Sequence, residues 1–147
     1  MKHVHKSVLL WYSPHEMFEL VTAVESYPSF LPWCDHADVL ERHTDGMTAR
    51  LGLAMGGVRH AFTTRNLQRT DESIAMQLVD GPFSRLDGLW QFRSLGDREQ
   101  TCKVEFDLRY AFSSPALETV MNPVFSKVTA SLVDSFVRRA EQVYGAR

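Results

Sequence analysis

The sequence predicts an α+β fold in which a curved seven-stranded antiparallel sheet wraps around one long C-terminal helix, with one or two short helices after the first strand. From about residue 37 to residue 112, apolar and polar residues alternate between tight turns, as in consecutive antiparallel strands. Residues 114–144 instead carry apolar side chains three and four positions apart, the spacing of an amphipathic helix. Such a helix must cover the inner face of the sheet, and a cavity remains wherever it does not fill the hollow.

Composition and charge are those of a single globular domain spanning residues 1–147. The chain is 44% hydrophobic with a net charge of −2, which argues against extensive disorder and against a general attraction to DNA. Its 2 cysteines are too few for a disulfide framework, and the N-terminus lacks the pattern of a signal peptide. The apolar runs are also too short to cross a bilayer. We therefore expect a cytoplasmic protein.

The N-terminal part is predicted to form a strand, a helix and an aromatic loop. Residues 3–12 favour a strand, and Ser13, Pro14 and Glu16 then form the capping box that starts a helix. This helix is expected to stop before residue 26. Residues 26–36 are rich in aromatic side chains and contain prolines at positions 28 and 32, with room for a short helical turn between the prolines.

Further strands follow, separated by residues that favour turns. Thr44-Asp45-Gly46 is a hairpin signal, Gly56-Gly57 and Asp71-Glu72 mark the next reversals, and Asp80-Gly81-Pro82 is a turn or bulge. In the last strand, alternate residues are apolar, so one face is expected to be buried and the other in water. The predicted strands are 37–43, 47–55, 58–69, 73–79, 86–94 and 102–112.

The long helix has clear ends and one interruption. Ser114 can cap its start with Pro115 at the first position, and Gly145 follows its last apolar residue as a left-handed stop. Pro123 lies inside the pattern, and Asn122 before it could cap a second segment, so we expect a kink or a break there. The predicted apolar stripe is Leu117, Val120, Met121, Val124, Val128, Leu132, Phe136, Ala140 and Val143.

Several strings of residues resemble those of a known family. They are Tyr27-Pro-Ser-Phe-Leu-Pro-Trp-Cys34, Phe62-Thr-Thr-Arg-Asn66, Leu78-Val-Asp-Gly-Pro-Phe83 and Gly88-Leu-Trp-Gln-Phe92. Together they resemble the coenzyme Q-binding START-like family of the polyketide cyclase/dehydrase superfamily, and within it the bacterial RatA-type branch most closely. The resemblance implies a helix-grip fold (START/Bet v 1-like) with a deep apolar pocket between the sheet and the C-terminal helix.

The resemblance also implies alternative functions. The first is non-catalytic binding of a hydrophobic ligand, the isoprenoid quinone ubiquinone, with quinone delivery in respiration and transient contact with the inner membrane. The second, attached to the RatA branch of toxin–antitoxin proteins, is binding to a ribosomal subunit that blocks subunit association. A third is a cyclase- or dehydratase-like enzyme, for which His60 and Arg65 are the polar residues most worth checking. We predict the quinone function, no enzymatic activity and no cofactor.

The predicted ligand site combines a gate with the inner face of the sheet. Phe30, Leu31 and Trp33 are expected at the pocket mouth with Phe83 opposite, since so aromatic a loop is costly unless it is buried or contacts a ligand or membrane. The alternative is that these residues only plug one end of the core. The predicted ligand-binding residues are Phe30, Leu31, Trp33, Phe62, Phe83, Trp90, Phe92, Phe106, Leu108, Tyr110, Val120, Val124 and Val128.

Metal-ligating and basic residues give weaker signals. His3 and His5 share one side of a strand, and Cys34 lies two positions before His36, but neither pair has the second pair that a structural zinc site needs. We therefore predict no metal site.

A ribosome-binding surface would need clustered basic residues, and ordinary solvated surface is the alternative. The candidates are Arg138, Arg139 and Arg147 near the helix end and Arg59, Arg65 and Arg69 along one strand.

Overall fold

Seven antiparallel strands form one curved sheet, and one long helix lies against it. The computed structural model describes residues 1–147, with the exception of the side chain at position 99. The elements are β1 (Lys2–Leu10), α1 (Pro14–Thr22), a 3-10 helix (Val24–Ser29), β2 (Cys34–His43), β3 (Gly46–Met55), β4 (Val58–Arg69), β5 (Ser73–Asp80), β6 (Phe83–Leu95), β7 (Arg98–Phe112) and α2 (Pro115–Tyr144). The strand order in the sheet is β1-β7-β6-β5-β4-β3-β2. The predicted α+β helix-grip architecture is confirmed.

The predicted capping box starts α1. Ser13 Oγ accepts a hydrogen bond from the Glu16 backbone N–H at 3.1 Å, and Glu16 Oε1 accepts one from the Ser13 backbone N–H at 2.9 Å. The helical turn expected between the two prolines lies elsewhere, because the 3-10 helix covers Val24–Ser29 and so contains Pro28.

The predicted strands are present, and the structure shifts several of their ends. β2 begins at Cys34 rather than residue 37. β6 begins at Phe83 rather than residue 86, because Phe83 pairs with Phe112 of β7. β1 ends at Leu10, short of residue 12. The chain reverses between β5 and β6 at positions 81 and 82, as the sequence predicts.

Two glycines are required where the chain packs closely. A Cβ atom at Gly52 would lie 2.1 Å from Asp35 Oδ1, because the register of β2 on β3 shifts at this point. Gly81 has a φ of 151°, and a Cβ there would lie 2.7 Å from Phe62 Cβ. The glycine at position 81 therefore lets the β5–β6 turn lie close against β4 at Phe62.

The helix α2 runs without a break from Pro115 to Tyr144, so the predicted interruption at Pro123 is wrong as a break. Asn122 does not cap a second segment either, since its Oδ1 is buried without a hydrogen-bond partner. Proline's fixed φ is compatible with a helix, and its main cost is one missing backbone hydrogen bond and local crowding. Met121 and Phe125, on either side of Pro123, are both buried, and this burial offsets that cost.

The buried stripe of α2 differs from the predicted one. Val120 is 56% exposed, and Val143 is also exposed, so neither belongs to it. Phe125 sets the helix rotation instead, since its ring centroid lies 4.8 Å from that of Tyr110 and 5.1 Å from that of Phe83. The buried residues of α2 are Met121, Phe125, Val128, Thr129, Val133, Ser135, Phe136 and Ala140.

The C-terminal end of α2 is fixed to the start of α1. Gly145, at a φ of 85°, ends the helix and accepts a hydrogen bond from the Tyr12 hydroxyl at 2.8 Å. Arg147 donates to both carboxylate oxygens of Glu16, at 2.7 and 2.8 Å. The Tyr144 hydroxyl donates to the Glu16 carbonyl at 2.9 Å. Because of the bond from Arg147, the pKa of the Glu16 carboxyl lies below its ordinary value.

Truncating Phe125 should destabilise the fold far more than truncating Val120. We expect Phe125→Ala to lower the free energy of unfolding by about 3–5 kcal/mol, because removing a buried aromatic ring leaves a cavity. Val120→Ala, on the exposed side of the same helix, is the matched control and should change it by less than about 0.5 kcal/mol. Urea unfolding followed by circular dichroism measures both. Similar losses would contradict the assignment of the buried stripe.

The bond between Arg147 and Glu16 should give Glu16→Gln a pH-dependent effect. A carboxyl whose folded-state pKa is lowered stabilises the fold above its unfolded-state pKa, and this contribution is lost as the pH falls through the folded-state value. We therefore expect the variant to be less stable than the wild type by about 1 kcal/mol at pH 7, with the difference vanishing in acid.

Urea unfolding of the two proteins between pH 7 and pH 2.5 tests this. Glu118→Gln is the control, since Glu118 also lies in the first turn of a helix but is exposed. A wild-type advantage that persists unchanged at the acid end would count against the ion pair.

Candidate functional site

An apolar cavity of about 80 Å³ lies between the inner face of the sheet and α2. Side chains alternate between the two faces of a strand, so every second residue of the central strands faces this space. The 3-10 helix and the loop after it close one side. The lining residues are Val24, Tyr27, Trp33, Ala49, Leu51, Phe62, Thr64, Asn66, Met76, Leu86, Trp90, Phe106, Leu108, Phe125, Val128, Thr129, Leu132 and Phe136.

Two aromatic clusters contribute to its walls. The first is defined by ring centroids 4.8 to 6.4 Å apart and consists of Phe62, Phe83, Tyr110, Phe112 and Phe125. The second has ring centroids 4.5 to 6.3 Å apart and consists of Tyr27, Phe30, Trp90, Phe92, Phe106 and Phe136. The cluster members that line the cavity, and so offer it flat apolar faces, are Tyr27, Phe62, Trp90, Phe106, Phe125 and Phe136.

The cavity is small for a ligand site. Pockets that hold drug-sized molecules measure roughly 300–1,000 Å³, so this one must widen to take such a ligand. Met76 is suited to move, because it is only partly buried and has a flexible, unbranched side chain. Its methyl group occupies the space that a side chain at Gly88 would need, where a Cβ would lie 2.4 Å away. Displacing Met76 would therefore enlarge the cavity without moving a strand.

All the lining residues are uncharged, and their polar groups are mostly paired with one another or with the backbone. Thr64 Oγ1 donates to Asn66 Oδ1 at 2.8 Å. Thr129 Oγ1 donates to the Ser126 carbonyl at 3.1 Å, and the Tyr27 hydroxyl donates to the Val21 carbonyl. Burial raises the pKa of Tyr27 well above its ordinary value, so the phenol stays neutral.

Trp33 is the exception among these polar groups. Its side chain is only 3% exposed, and its indole Nε1 is buried without a hydrogen-bond partner among the described residues. Buried donors in native proteins are nearly always paired, so an unpaired one beside a cavity needs an explanation. A ligand with an acceptor oxygen would supply the missing partner.

The structure brings together part of the predicted ligand-binding set. The members that line the cavity are Trp33, Phe62, Trp90, Phe106, Leu108 and Val128. The members outside the lining are Phe30, Leu31, Phe83, Phe92, Tyr110, Val120 and Val124. The ligand-binding role of each stays a prediction.

The predicted gate does not form an exposed mouth. Leu31, Trp33 and Phe83 are all buried. Phe30 packs on α2 instead, with its ring 5.2 Å from that of Phe136 and the Arg139 guanidinium 5.0 Å above it. The aromatic loop is therefore stabilised by contact with the protein itself.

The other predicted residues outside the lining lie elsewhere in the fold. Phe92 lies under α1, with its ring 5.9 Å from that of Phe18. Tyr110 belongs to the first aromatic cluster through its contact with Phe125. Val120 faces solvent, and Val124 lies towards the β3–β4 turn at Gly56.

The polar lining residues Thr64, Asn66 and Thr129 are not among the predicted site residues. A signal for β4 exists in the sequence, because positions 62, 64 and 66 share one face of a strand and Phe62 is a predicted site residue. A polar residue on an inner face breaks the alternation and so looks like surface. On α2, Thr129 and Phe125 are both absent from the predicted stripe, because the buried face of the helix is rotated relative to it.

The residues proposed for other chemistry lie outside the cavity. His60 is not in the lining, and Arg65 is paired with Asp45 at 2.6 Å. His3 and His5 both contact the Asp107 carboxylate, at 2.5 and 3.0 Å. Among the described residues, no group of three or more His, Cys, Asp or Glu side chains is arranged to hold a metal ion.

Burial raises the pKa of Cys34 to about 11, so its side chain is a thiol at neutral pH. Cys102 is buried and its pKa is raised to about 11 in the same way. In the part of the chain that the structure describes, neither helix is both long and apolar enough to span a bilayer.

Comparison with known proteins places these features in context. Residues 10–137 match the protein family described as polyketide cyclase / dehydrase and lipid transport. The chain is 41% identical over 143 residues to ribosome association toxin RatA of Pseudomonas aeruginosa, covering 97% of this chain and 98% of that protein. It is 26% identical over 140 residues to the mitochondrial coenzyme Q-binding protein COQ10 of Dictyostelium discoideum, covering 93% and 68%.

Solved structures share the fold at low sequence identity. A START superfamily protein from Mycobacterium smegmatis superposes with a TM-score of 0.80 at 22% identity, covering 96% of this chain and 98% of that one. The Zhui aromatase/cyclase from Streptomyces sp. R1128 superposes with a TM-score of 0.78 at 15% identity, covering 99% of both chains. These likenesses concern the fold alone.

Proposed function

The chain belongs to the polyketide cyclase / dehydrase and lipid transport family, and on that premise we propose that its cavity binds an isoprenoid quinone such as ubiquinone. The observation that carries this proposal is the uncharged, aromatic-walled cavity between the sheet and α2. The relative named as a coenzyme Q-binding protein supports it.

The chemistry of the lining favours a neutral ligand. A fatty acid or a phospholipid carries an anionic group that would need a cation on burial, and the lining residues are all uncharged. A benzoquinone head is flat and neutral, and it can stack on aromatic faces such as those of Trp90 and Phe106. Each methylene of an isoprenoid tail that leaves water contributes about 0.8 kcal/mol to binding. Burial of part of the tail can therefore supply the affinity without any catalysis.

Access requires the cavity to widen. Pro123 lacks the N–H that would bond the Thr119 carbonyl, so α2 is least firmly hydrogen-bonded there. In this proposal, the segment of α2 around Pro123 moves while the C-terminal end stays fixed by Arg147 and Glu16. The ligand resides in a bilayer, so its uptake and its delivery in respiration involve transient contact with the inner membrane.

Ribosome association is a second candidate function, and the RatA name of a relative 41% identical over almost the whole chain favours it. A contact with ribosomal RNA would use exposed basic side chains. The arginines of β4 lie near carboxylates, with Arg59 3.8 Å from Asp35 and Arg69 3.9 Å from Glu72. Arg138 on α2 is the better candidate because it is exposed and, among the described residues, makes no ion pair with a carboxylate.

Filling the cavity should abolish quinone binding. We expect the wild type to bind a decyl-substituted dimethoxy-methyl-benzoquinone in isothermal titration calorimetry, and Leu108→Trp to bind it at least about tenfold more weakly, because the larger ring occupies the cavity. Leu40→Trp makes the same substitution at a 55% exposed site and is the matched control. Equal affinities in the wild type and Leu108→Trp would place the ligand elsewhere, and no binding by the wild type would refute the proposal.

The ribosome-association function predicts that binding depends on exposed charge and not on the cavity. Purified protein should co-sediment with a ribosomal subunit in a sucrose gradient, and Arg138→Glu should reduce the bound fraction severalfold while leaving quinone affinity unchanged, because it alters only an exposed charge. Arg93→Glu, on the outer face of the sheet, is the matched control. A wild type that stays at the top of the gradient would rule out a stable complex under those conditions and remove support for this function.

A further inference from the structure

The polar and the apolar lining residues of the cavity differ in their exposure. The partly exposed lining residues, which form its rim, are all apolar, and they are Leu51, Phe62, Met76 and Leu132. The lining residues with a polar side-chain atom are all buried, and they are Tyr27, Trp33, Thr64, Asn66 and Thr129. The cavity therefore has an apolar rim and carries its polar groups in the interior.

The interior groups can still bond a ligand. The indole Nε1 of Trp33 is a donor, and it is buried without a partner among the described residues. Asn66 Oδ1 accepts from Thr64, which leaves the Asn66 NH₂ group to donate and a second Oδ1 lone pair to accept. Thr129 donates its proton to the Ser126 carbonyl, and its oxygen keeps lone pairs that accept. Carbonyl and hydroxyl oxygens of a neutral head group can therefore both find partners here.

The volume of the cavity limits what it can enclose. An apolar cavity of roughly 150 Å³ holds a single benzene ring. The cavity between the sheet and α2 measures about 80 Å³, so widening it at Met76 brings it towards the size of one ring. A ring together with a long isoprenoid tail is far larger, and most of such a tail must lie outside.

We infer that the ligand binds head first, with its ring against Trp33 and Asn66 and its isoprenoid tail leaving the cavity over the apolar rim. This inference rests on the proposed quinone function and adds the orientation of the ligand to it. A tail-first ligand would place methylene groups against the Trp33 indole N–H, and burying an unpaired donor is costly. A head-first ligand supplies the missing acceptor and lays its tail on Leu51 and Leu132, which are apolar.

Head-first binding makes the ring the part of the ligand that is recognised. Once the tail has passed the rim, further carbons stay outside the cavity and add little, so quinones of different tail length should bind with similar affinity. A tail-first carrier behaves in the opposite way, since each further buried methylene strengthens binding about fourfold.

Isothermal titration calorimetry with three dimethoxy-methyl-benzoquinones tests the orientation. One probe has no tail, and the other two carry linear tails of five and ten carbons. We expect the five-carbon tail to strengthen binding, and the step from five to ten carbons to add less than the roughly fourfold gain of a single buried methylene. A larger gain in that step would overturn head-first binding and leave the quinone function standing. No measurable binding of any of the three probes would overturn the quinone function itself.

A nuclear Overhauser measurement locates the head directly. In the complex of isotope-labelled protein with the ten-carbon probe, the Trp33 indole proton should show cross-peaks to the methoxy or methyl protons of the quinone ring. The absence of cross-peaks between this proton and the ring substituents would overturn the inference.

Two variants separate the interior of the cavity from its rim. Asn66→Leu removes a polar side chain of similar size and should weaken the tailless probe about fivefold, the effect of one net hydrogen bond. Leu132→Ala, the rim control, should leave the affinity of the tailless probe unchanged and reduce the gain from the five-carbon tail. Should Asn66→Leu fail to fold, Thr129→Val replaces the other interior hydrogen-bonding group by a methyl group. Equal affinity of the tailless probe for the wild type and a folded interior variant would contradict the assignment.

Discussion

The structure depends on two contacts of large aromatic side chains that set the distance between α2 and the sheet. Phe125 packs into the first aromatic cluster, and Phe136 packs against Tyr27 and Trp90 in the second. At about 1.5 Å per residue these two anchors lie roughly 16 Å apart along the helix. The cavity-lining residues between them, Val128, Thr129 and Leu132, are too short to fill the hollow of a curved sheet. The cavity is therefore a consequence of large side chains at the two anchors and smaller ones between them.

Most of the architecture could be predicted because its signals are local. Alternation and turn residues identify the strands, and Ser13, Pro14 and Glu16 identify the start of α1 without reference to the rest of the chain. The rotation of α2 is not local. A stripe through Val120 and a stripe through Phe125 are both apolar, and only the rings of Tyr110 and Phe83 across the interface decide between them. The same packing keeps the helix continuous through Pro123.

The candidate site was less predictable than the fold, for two physical reasons. Periodicity identifies an inner face but cannot distinguish residues that bound a void from residues packed against one another, which is how Phe92 and Leu108 differ here. Polar residues on an inner face also look like surface, so Asn66 escaped notice. The unpaired state of Trp33 Nε1 depends on every atom around it and has no counterpart in the sequence.

The two proposed functions use opposite sides of α2 and therefore do not compete for residues. Val128 and Thr129 face the cavity, whereas Arg138 faces solvent on the same rigid element. A ligand larger than the present cavity must displace part of the wall, and α2 is the part of that wall that is attached to the sheet by side chains alone. For this chain, binding an apolar ligand and contacting a macromolecule are compatible physical roles, and experiments that separate the inner from the outer side of α2 can assign each one independently.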